Sequence, residues 1–95
     1  MTTEIEIALD NLERKYGSVR IFASNLMDWH GGQADPVYAL ASSLHAGNLD
    51  ILMNEHLISD AISSLQQTME DPGMNWNQID DLEGIIDTLE YFLVR

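Results

Sequence analysis

Apolar residues recur at helical spacing along most of this chain, and the longest uninterrupted pattern runs from Leu49 to Met69. Its apolar side chains fall on one helical line at Ile51, Ile58, Ile62, Leu65 and Met69, with Leu57 and Ala61 widening the line on one side. Steps of three and four residues place side chains on one face of an α-helix, so the stretch predicts a long amphipathic helix facing a core. Asn48 or Asp50 is expected to cap its first turn.

The beginning of this predicted helix is apolar on every side. Leu49, Ile51, Leu52 and Met53 point in four different directions around a helix axis. A surface helix keeps a polar face, so these turns are expected either to pass between other helices or to be covered by a partner. The second alternative makes Leu49, Leu52 and Met53 candidate self-association residues, in a homodimer that shares a core.

The same spacing, bounded by capping and stop residues, predicts a bundle of about five short helices. They span about 4–16, 19–30, 36 to a stop at Gly47, 49–70, and 76 or 78 to the C-terminus. Ser18 and Asp35 are suited to accept hydrogen bonds from the first N–H groups of the second and third helices, and Asn75 or Asn77 from those of the last. Segment 19–22 would also suit a strand, because three of its four residues are Val, Ile and Phe.

No stretch alternates cleanly between apolar and polar residues, so no sheet is expected. Asp71, Pro72 and Gly73 break the chain between the fourth and fifth helices, which are expected to pack as an antiparallel pair. The chain has 95 residues, of which 45% are hydrophobic. This is enough material for one modest core, so the sequence predicts a single all-α domain over residues 1–95.

Acidic and basic residues are unevenly distributed. The chain carries 16 Asp and Glu residues against 4 Lys and Arg, a formal net charge of −12. Arg14, Lys15 and Arg20 lie together, Arg95 ends the sequence, and residues 21–94 contain no Lys or Arg. Such a charge repels phosphate and anionic lipid, so direct nucleic-acid or membrane binding is not expected, whereas a basic protein would be attracted. Acidity that only keeps the protein soluble is the alternative.

The last predicted helix carries a row of carboxylates beside its apolar stripe. This acidic row consists of Asp80, Glu83, Asp87 and Glu90, at positions i, i+3, i+7 and i+10. Like charges at such spacing oppose helix formation by about 0.2–0.5 kcal/mol per pair. The row is interpreted as a docking surface for a basic groove. The alternative is a solvated flank that pairs in part with Arg14, Lys15 or Arg20.

Two tryptophans lie at predicted helix boundaries, Trp29 before a Gly-Gly pair and Trp76 after the Asp-Pro-Gly break. Tryptophan is enriched at binding hot spots, so both are candidate partner contacts. The alternative is that each bulky side chain seals one end of the core.

Patterns for catalysis or metal binding are not evident in the sequence. It contains no cysteine, no Gly-x-Ser-x-Gly and no phosphate-binding glycine loop. His30, His45 and His56 fall on three different predicted helices and form no His-x-x-x-His or Glu-x-x-His pair. We therefore expect neither an enzyme nor a metal or other cofactor.

These patterns favour a non-enzymatic protein-binding module whose acidic surface engages a basic partner. The most specific version is an inhibitor or immunity-type protein that occupies a nucleic-acid-binding, nuclease or toxin surface. The acidic row would steer the encounter, and Trp29 or Trp76 would hold it. The alternative from another class is a structural protein, an obligate homo-oligomer or a small regulatory subunit. The lack of cysteine, of a signal sequence and of an apolar run of about 20 residues predicts a cytoplasmic protein.

Overall fold

The structure, a computed structural model, describes residues 4–29, 32 and 34–93. These residues form helices α1 (Glu4–Tyr16), α2 (Val19–Met27), α3 (Pro36–His45), a 3-10 helix (Leu49–Met53), α4 (Glu55–Met69) and α5 (Trp76–Glu90). No strand occurs within them, and segment 19–22 is helical. The predicted all-α domain of five helices is therefore confirmed.

Helix starts coincide with the capping side chains that the sequence indicates. Ser18 and Asp35 cap α2 and α3, each accepting a hydrogen bond from a backbone N–H group of the first turn. At α5 the cap is Asn75, whose Oδ1 accepts from the Gln78 N–H at 2.9 Å, while Gln78 Oε1 accepts from the Asn75 N–H at 3.0 Å. This reciprocal capping box fixes the start of α5 at Trp76.

The prediction of one long helix from Leu49 is wrong in its first turns. The chain forms the short 3-10 helix first, and α4 begins only at Glu55. Asn54 lies between them in an extended conformation, and its Oδ1 accepts from the Leu57 N–H at 3.1 Å. Asparagine side chains compete with the helical backbone for such hydrogen bonds, so Asn54 starts a new helix. The predicted cap Asn48 makes no side-chain capping bond.

A single hydrophobic core lies between the helices. Its largest fully buried side chains are Phe22, Phe92, Leu12, Leu26, Leu40, Leu44, Leu52, Ile58, Leu65, Leu82, Ile85 and Leu89. Helix α2 packs on α3, α3 on α4, and α4 on α5, so most of the packing is between neighbours along the chain. The predicted pairing of α4 with α5 follows from the turn at 71–75, where the Gly73 N–H donates to Asp71 Oδ1 at 2.9 Å.

The end of α1 contacts the middle of α5, so the first and the last of the described helices meet. Lys15 Nζ donates to the Gly84 carbonyl oxygen at 3.1 Å, and Thr88 Oγ1 donates to the same oxygen at 2.8 Å. A Cβ atom on Gly84 would lie 3.3 Å from Lys15 Nζ and 3.5 Å from the Tyr16 hydroxyl oxygen. A side chain at position 84 would therefore crowd this approach of α1 to α5.

Candidate functional site

The acidic row lines one groove between α4 and α5. The groove has a volume of about 580 Å³ and is lined by Gln66, Met69, Asp80, Glu83, Gly84, Ile86, Asp87 and Glu90. All four carboxylate residues are exposed, whereas Ile86 is 6% exposed and Met69 packs against the core. The structure thus brings the four predicted acids together over an apolar floor. We call this surface the acidic groove.

The carboxylates of the acidic groove have no salt-bridge partner among residues 4–29, 32 and 34–93. Arg14 instead pairs with Asp10 on its own helix at 3.0 Å, and Lys15 Nζ bonds to a backbone carbonyl oxygen. The pairing considered from the sequence is therefore not seen in the described part of the chain.

The position of the acidic row along α5 is unfavourable for helix stability. Asp87 and Glu90 lie in the last turn, next to the negative end of the helix dipole, and the last turn contains no basic residue. A charge of the wrong sign at a helix end costs about 0.3–1 kcal/mol at an exposed site. Neighbouring acids three or four residues apart add about 0.2–0.5 kcal/mol per pair. Helix stability alone therefore does not explain this arrangement.

Trp76 extends the same face of α5. Its side chain is 81% exposed at the first residue of the helix. Trp76 precedes Asp80 by four residues and Glu83 by seven, and helical residues at these spacings share a face. An exposed indole and the acidic row thus form one continuous surface, although Trp76 does not line the groove itself.

Trp29, the other predicted partner contact, lies on the opposite side of α5. It is half-buried against the core and borders a second, smaller cavity between α1, α2 and α5. This cavity has a volume of about 200 Å³ and is lined by Tyr16, Asn25, Asp28, Trp29, Asp81 and Ile85. We call it the aromatic cavity. Asp28 and Asp81 are not predictable as site residues from the sequence, because the cavity arises only when three helices pack.

Tyr16 forms one wall of the aromatic cavity and is held in place on two sides. Its ring packs against Phe22 with the centroids 4.9 Å apart, and its hydroxyl shares a hydrogen bond with Thr88. Burial raises the pKa of the phenol above 10.0, the hydrogen bond to Thr88 offsets part of this, and the nearby carboxylates of Asp81 and Asp87 raise it again. Tyr16 is therefore a neutral hydrogen-bonding group at neutral pH.

The candidate self-association residues divide into two kinds. Leu52 is fully buried where the 3-10 helix packs on α3 and α4, so its side chain serves the core of its own chain. Leu49 and Met53 are 41% and 59% exposed. Burial between helices, the first alternative from the sequence, thus holds for Leu52. Self-association stays a prediction that now depends on the two exposed side chains.

His45 and His56 are exposed on separate helices, and His30 lies outside the described residues. In the part of the chain that the structure describes, no three His, Asp or Glu side chains are arranged to hold a metal ion. None of the helices there has both the length and the apolar content to cross a bilayer. Comparison with known protein families, curated proteins and solved structures finds no match to this chain. Its function must therefore be inferred from the groove and the cavity.

Proposed function

We propose that this chain is a non-enzymatic protein-binding module whose acidic groove holds a basic segment of a partner protein. One observation carries the proposal: four carboxylates without a described salt bridge share a groove with an apolar floor. Unpaired surface charge of one sign accelerates encounter with a partner of the opposite sign. The floor at Met69 and Ile86 supplies apolar contact once the partner is seated.

The dimensions of the acidic row suit a surface that otherwise holds a phosphate backbone. Positions 80 and 90 are about 15 Å apart along a helix axis, at 1.5 Å per residue. Four negative charges over this length form a linear array of anions, which a nucleic-acid-binding surface could bind in place of phosphates. The most specific form of the proposal is therefore an inhibitor or immunity-type protein that covers such a surface on a nucleic-acid-binding protein, a nuclease or a toxin. The proposed compartment is the cytoplasm, in keeping with a chain that has no cysteine.

The test is affinity capture of the tagged chain from a lysate of its source cells, with elution by increasing salt. The groove variant carries Asp80→Asn, Glu83→Gln, Asp87→Asn and Glu90→Gln. The control variant removes the same number of charges at exposed residues outside the groove, with Glu13→Gln, Asp50→Asn, Asp60→Asn and Glu70→Gln. We expect a basic protein that elutes as salt rises, is retained by the control variant and is lost from the groove variant. Equal capture by the two variants would contradict the proposal.

A second candidate function is self-association, in a structural or regulatory assembly. It is favoured by the exposure of Leu49 and Met53 on the 3-10 helix. Replacing both by serine leaves the buried Leu52 in place and removes only exposed apolar surface. The mass in solution, measured by sedimentation, is expected to fall to that of the monomer if this surface is an interface. An unchanged mass would exclude the region as one.

A further inference from the structure

We infer that the aromatic cavity binds the guanidinium group of an arginine side chain. The inference rests on the proposed function, because the arginine would belong to the same basic partner. It adds a second contact on the other side of α5, distinct from the acidic groove in position and in chemistry.

The walls of the aromatic cavity suit a flat cation. Trp29 and Tyr16 both line this small cavity. The ammonium group of Lys15 already lies over the Tyr16 ring, 5.8 Å from its centroid, so Trp29 is the ring on which a further cation would stack. Arginine stacks on such rings, because its guanidinium is planar, delocalised and weakly hydrated, whereas the ammonium of lysine is compact and strongly hydrated. The Tyr16 ring is already fixed by Phe22 and Thr88, so binding would require little reordering of this wall.

Two carboxylates of the aromatic cavity provide the complementary charge. Asp28 and Asp81 are exposed, and neither forms a salt bridge within the described residues. Lys15 forms no salt bridge with either carboxylate within the described residues, and its ammonium group donates to the Gly84 carbonyl oxygen and lies over the Tyr16 ring. A guanidinium can bind one carboxylate through two parallel hydrogen bonds and still donate to another acceptor, such as the side-chain oxygen of Asn25.

The size of the aromatic cavity limits its occupant to a single side chain. Its volume of about 200 Å³ is below the range of roughly 300–1,000 Å³ that is typical of small-molecule sites. Ile85, which is 2% exposed, adds an apolar surface to the lining. The methylene groups of arginine can pack on such a surface while the guanidinium stays at the carboxylates.

Trp29 allows binding to be measured directly. The chain has two tryptophans, so Trp76→Phe leaves Trp29 as the only indole fluorophore. In this background we would titrate N-acetyl-arginine amide, its neutral citrulline analogue and its lysine analogue. We expect a saturable change in fluorescence with the arginine compound, weaker binding of the lysine compound and no saturable response to citrulline. Equal binding of arginine and citrulline compounds would overturn the inference.

Asp81 and its neighbour Asp80 provide a matched pair of variants. Asp81 lines the aromatic cavity and Asp80 lines the acidic groove, so the two substitutions remove the same charge from two different surfaces of α5. Asp81→Asn should weaken binding of the arginine compound about two- to fivefold, the range of an exposed ion pair, while Asp80→Asn should leave it unchanged. Asp28→Asn is a second cavity variant in case Asp81→Asn does not fold. Equal effects of the Asp80 and cavity substitutions would contradict a specific site.

The source of the guanidinium is tested by comparing an end-blocked Gly-Arg-Gly peptide with free arginine. The inference requires the peptide to bind at least as tightly, and preferential binding of the free amino acid would overturn an arginine of a partner. This titration does not depend on the acidic groove. If the chain binds arginine but the groove variant captures the partner as well as wild type does, the proposed function is rejected and the cavity inference stands. If the chain does not bind arginine but the groove variant loses the partner, the cavity inference is rejected and the proposed function stands.

Discussion

Helix α5 presents carboxylates to two different surroundings. On the α4 side, four of them lie in an open groove with an apolar floor. On the side of α1 and α2, Asp81 shares a smaller cavity with Asp28 and two aromatic residues. A step of 100° per residue places Asp80 and Asp81 on either side of Gly84, so two consecutive acids serve different surfaces. Charge in an open row acts at long range on any basic partner, whereas charge beside aromatic rings favours one shape of cation.

The largest expected effect comes from shortening a core side chain beneath α5. Leu82 is fully buried beneath the helix. Leu82→Ala should lower the free energy of unfolding by about 2–5 kcal/mol, because it deletes packed methyl groups and leaves a cavity. Urea denaturation followed by circular dichroism measures this. Glu83→Gln, one residue away on the exposed face, is the control, and a comparable loss there would show that the burial of Leu82 is not the cause of the effect.

A smaller effect should show that the acidic row reduces helix stability. Replacing Asp87 by Asn and Glu90 by Gln removes two negative charges from the last turn of α5. We expect the free energy of unfolding to rise by about 1 kcal/mol at low salt, and by less at high salt where such charges are screened. Asp80→Asn, near the other end of the helix, should not give this gain. Equal free energies of unfolding for the two variants would contradict the view that the acidic row lowers helix stability.

The boundary between the two surfaces can be altered at Gly84. Gly84→Ala adds a methyl group 3.3 Å from Lys15 Nζ, at the flexible end of a side chain that can move away. Alanine is favoured over glycine inside a helix by about 1 kcal/mol, and loss of the exposed Lys15 hydrogen bond offsets part of this. The net expectation is stabilisation by about 0.5 kcal/mol in thermal unfolding. Clear destabilisation would mean that the Tyr16 hydroxyl group, 3.5 Å from the added methyl group, cannot move away.

The smallest effect is confined to alkaline pH. The raised pKa of Tyr16 means that the unfolded chain loses this proton first, at a pH of about 10. Stability contributed by the neutral phenol is therefore fully present below that pH and is lost as pH rises towards the pKa of the folded state. Tyr16→Phe should reduce the alkaline loss of unfolding free energy, and the tyrosinate absorbance of wild type minus variant should report the raised pKa. A titration of Tyr16 at the value for free tyrosine would contradict the burial described here.

Sequence spacing could predict the acidic row because its acids lie on one helix, where periodicity fixes their common face, but it did not predict the groove that the row forms with α4. The same reasoning failed at residues 49–54, since an apolar pattern continues through Asn54 although the backbone does not. Asn48, Asp50 and Asn54 are all suitable caps, and in the structure Asn54 caps α4, next to the 3-10 helix that packs on α3 and α4. The aromatic cavity could not be predicted from the sequence for a different reason. Asp28 and Asp81 are 53 residues apart, and no local pattern relates α2 to α5.

The contact between Lys15 and Gly84 also has a consequence for the order in which the chain assembles. It joins residues 69 positions apart, whereas α4 and α5 meet across a short turn. Closing a long loop has a larger entropic cost than closing a short one, so the α4–α5 hairpin is expected to form before α1 docks. During synthesis α1 leaves the ribosome before α5, and its packing on α2 can form before its contact with α5. The acidic groove is then the earlier of the two surfaces to mature, and the aromatic cavity exists only in the fully folded chain.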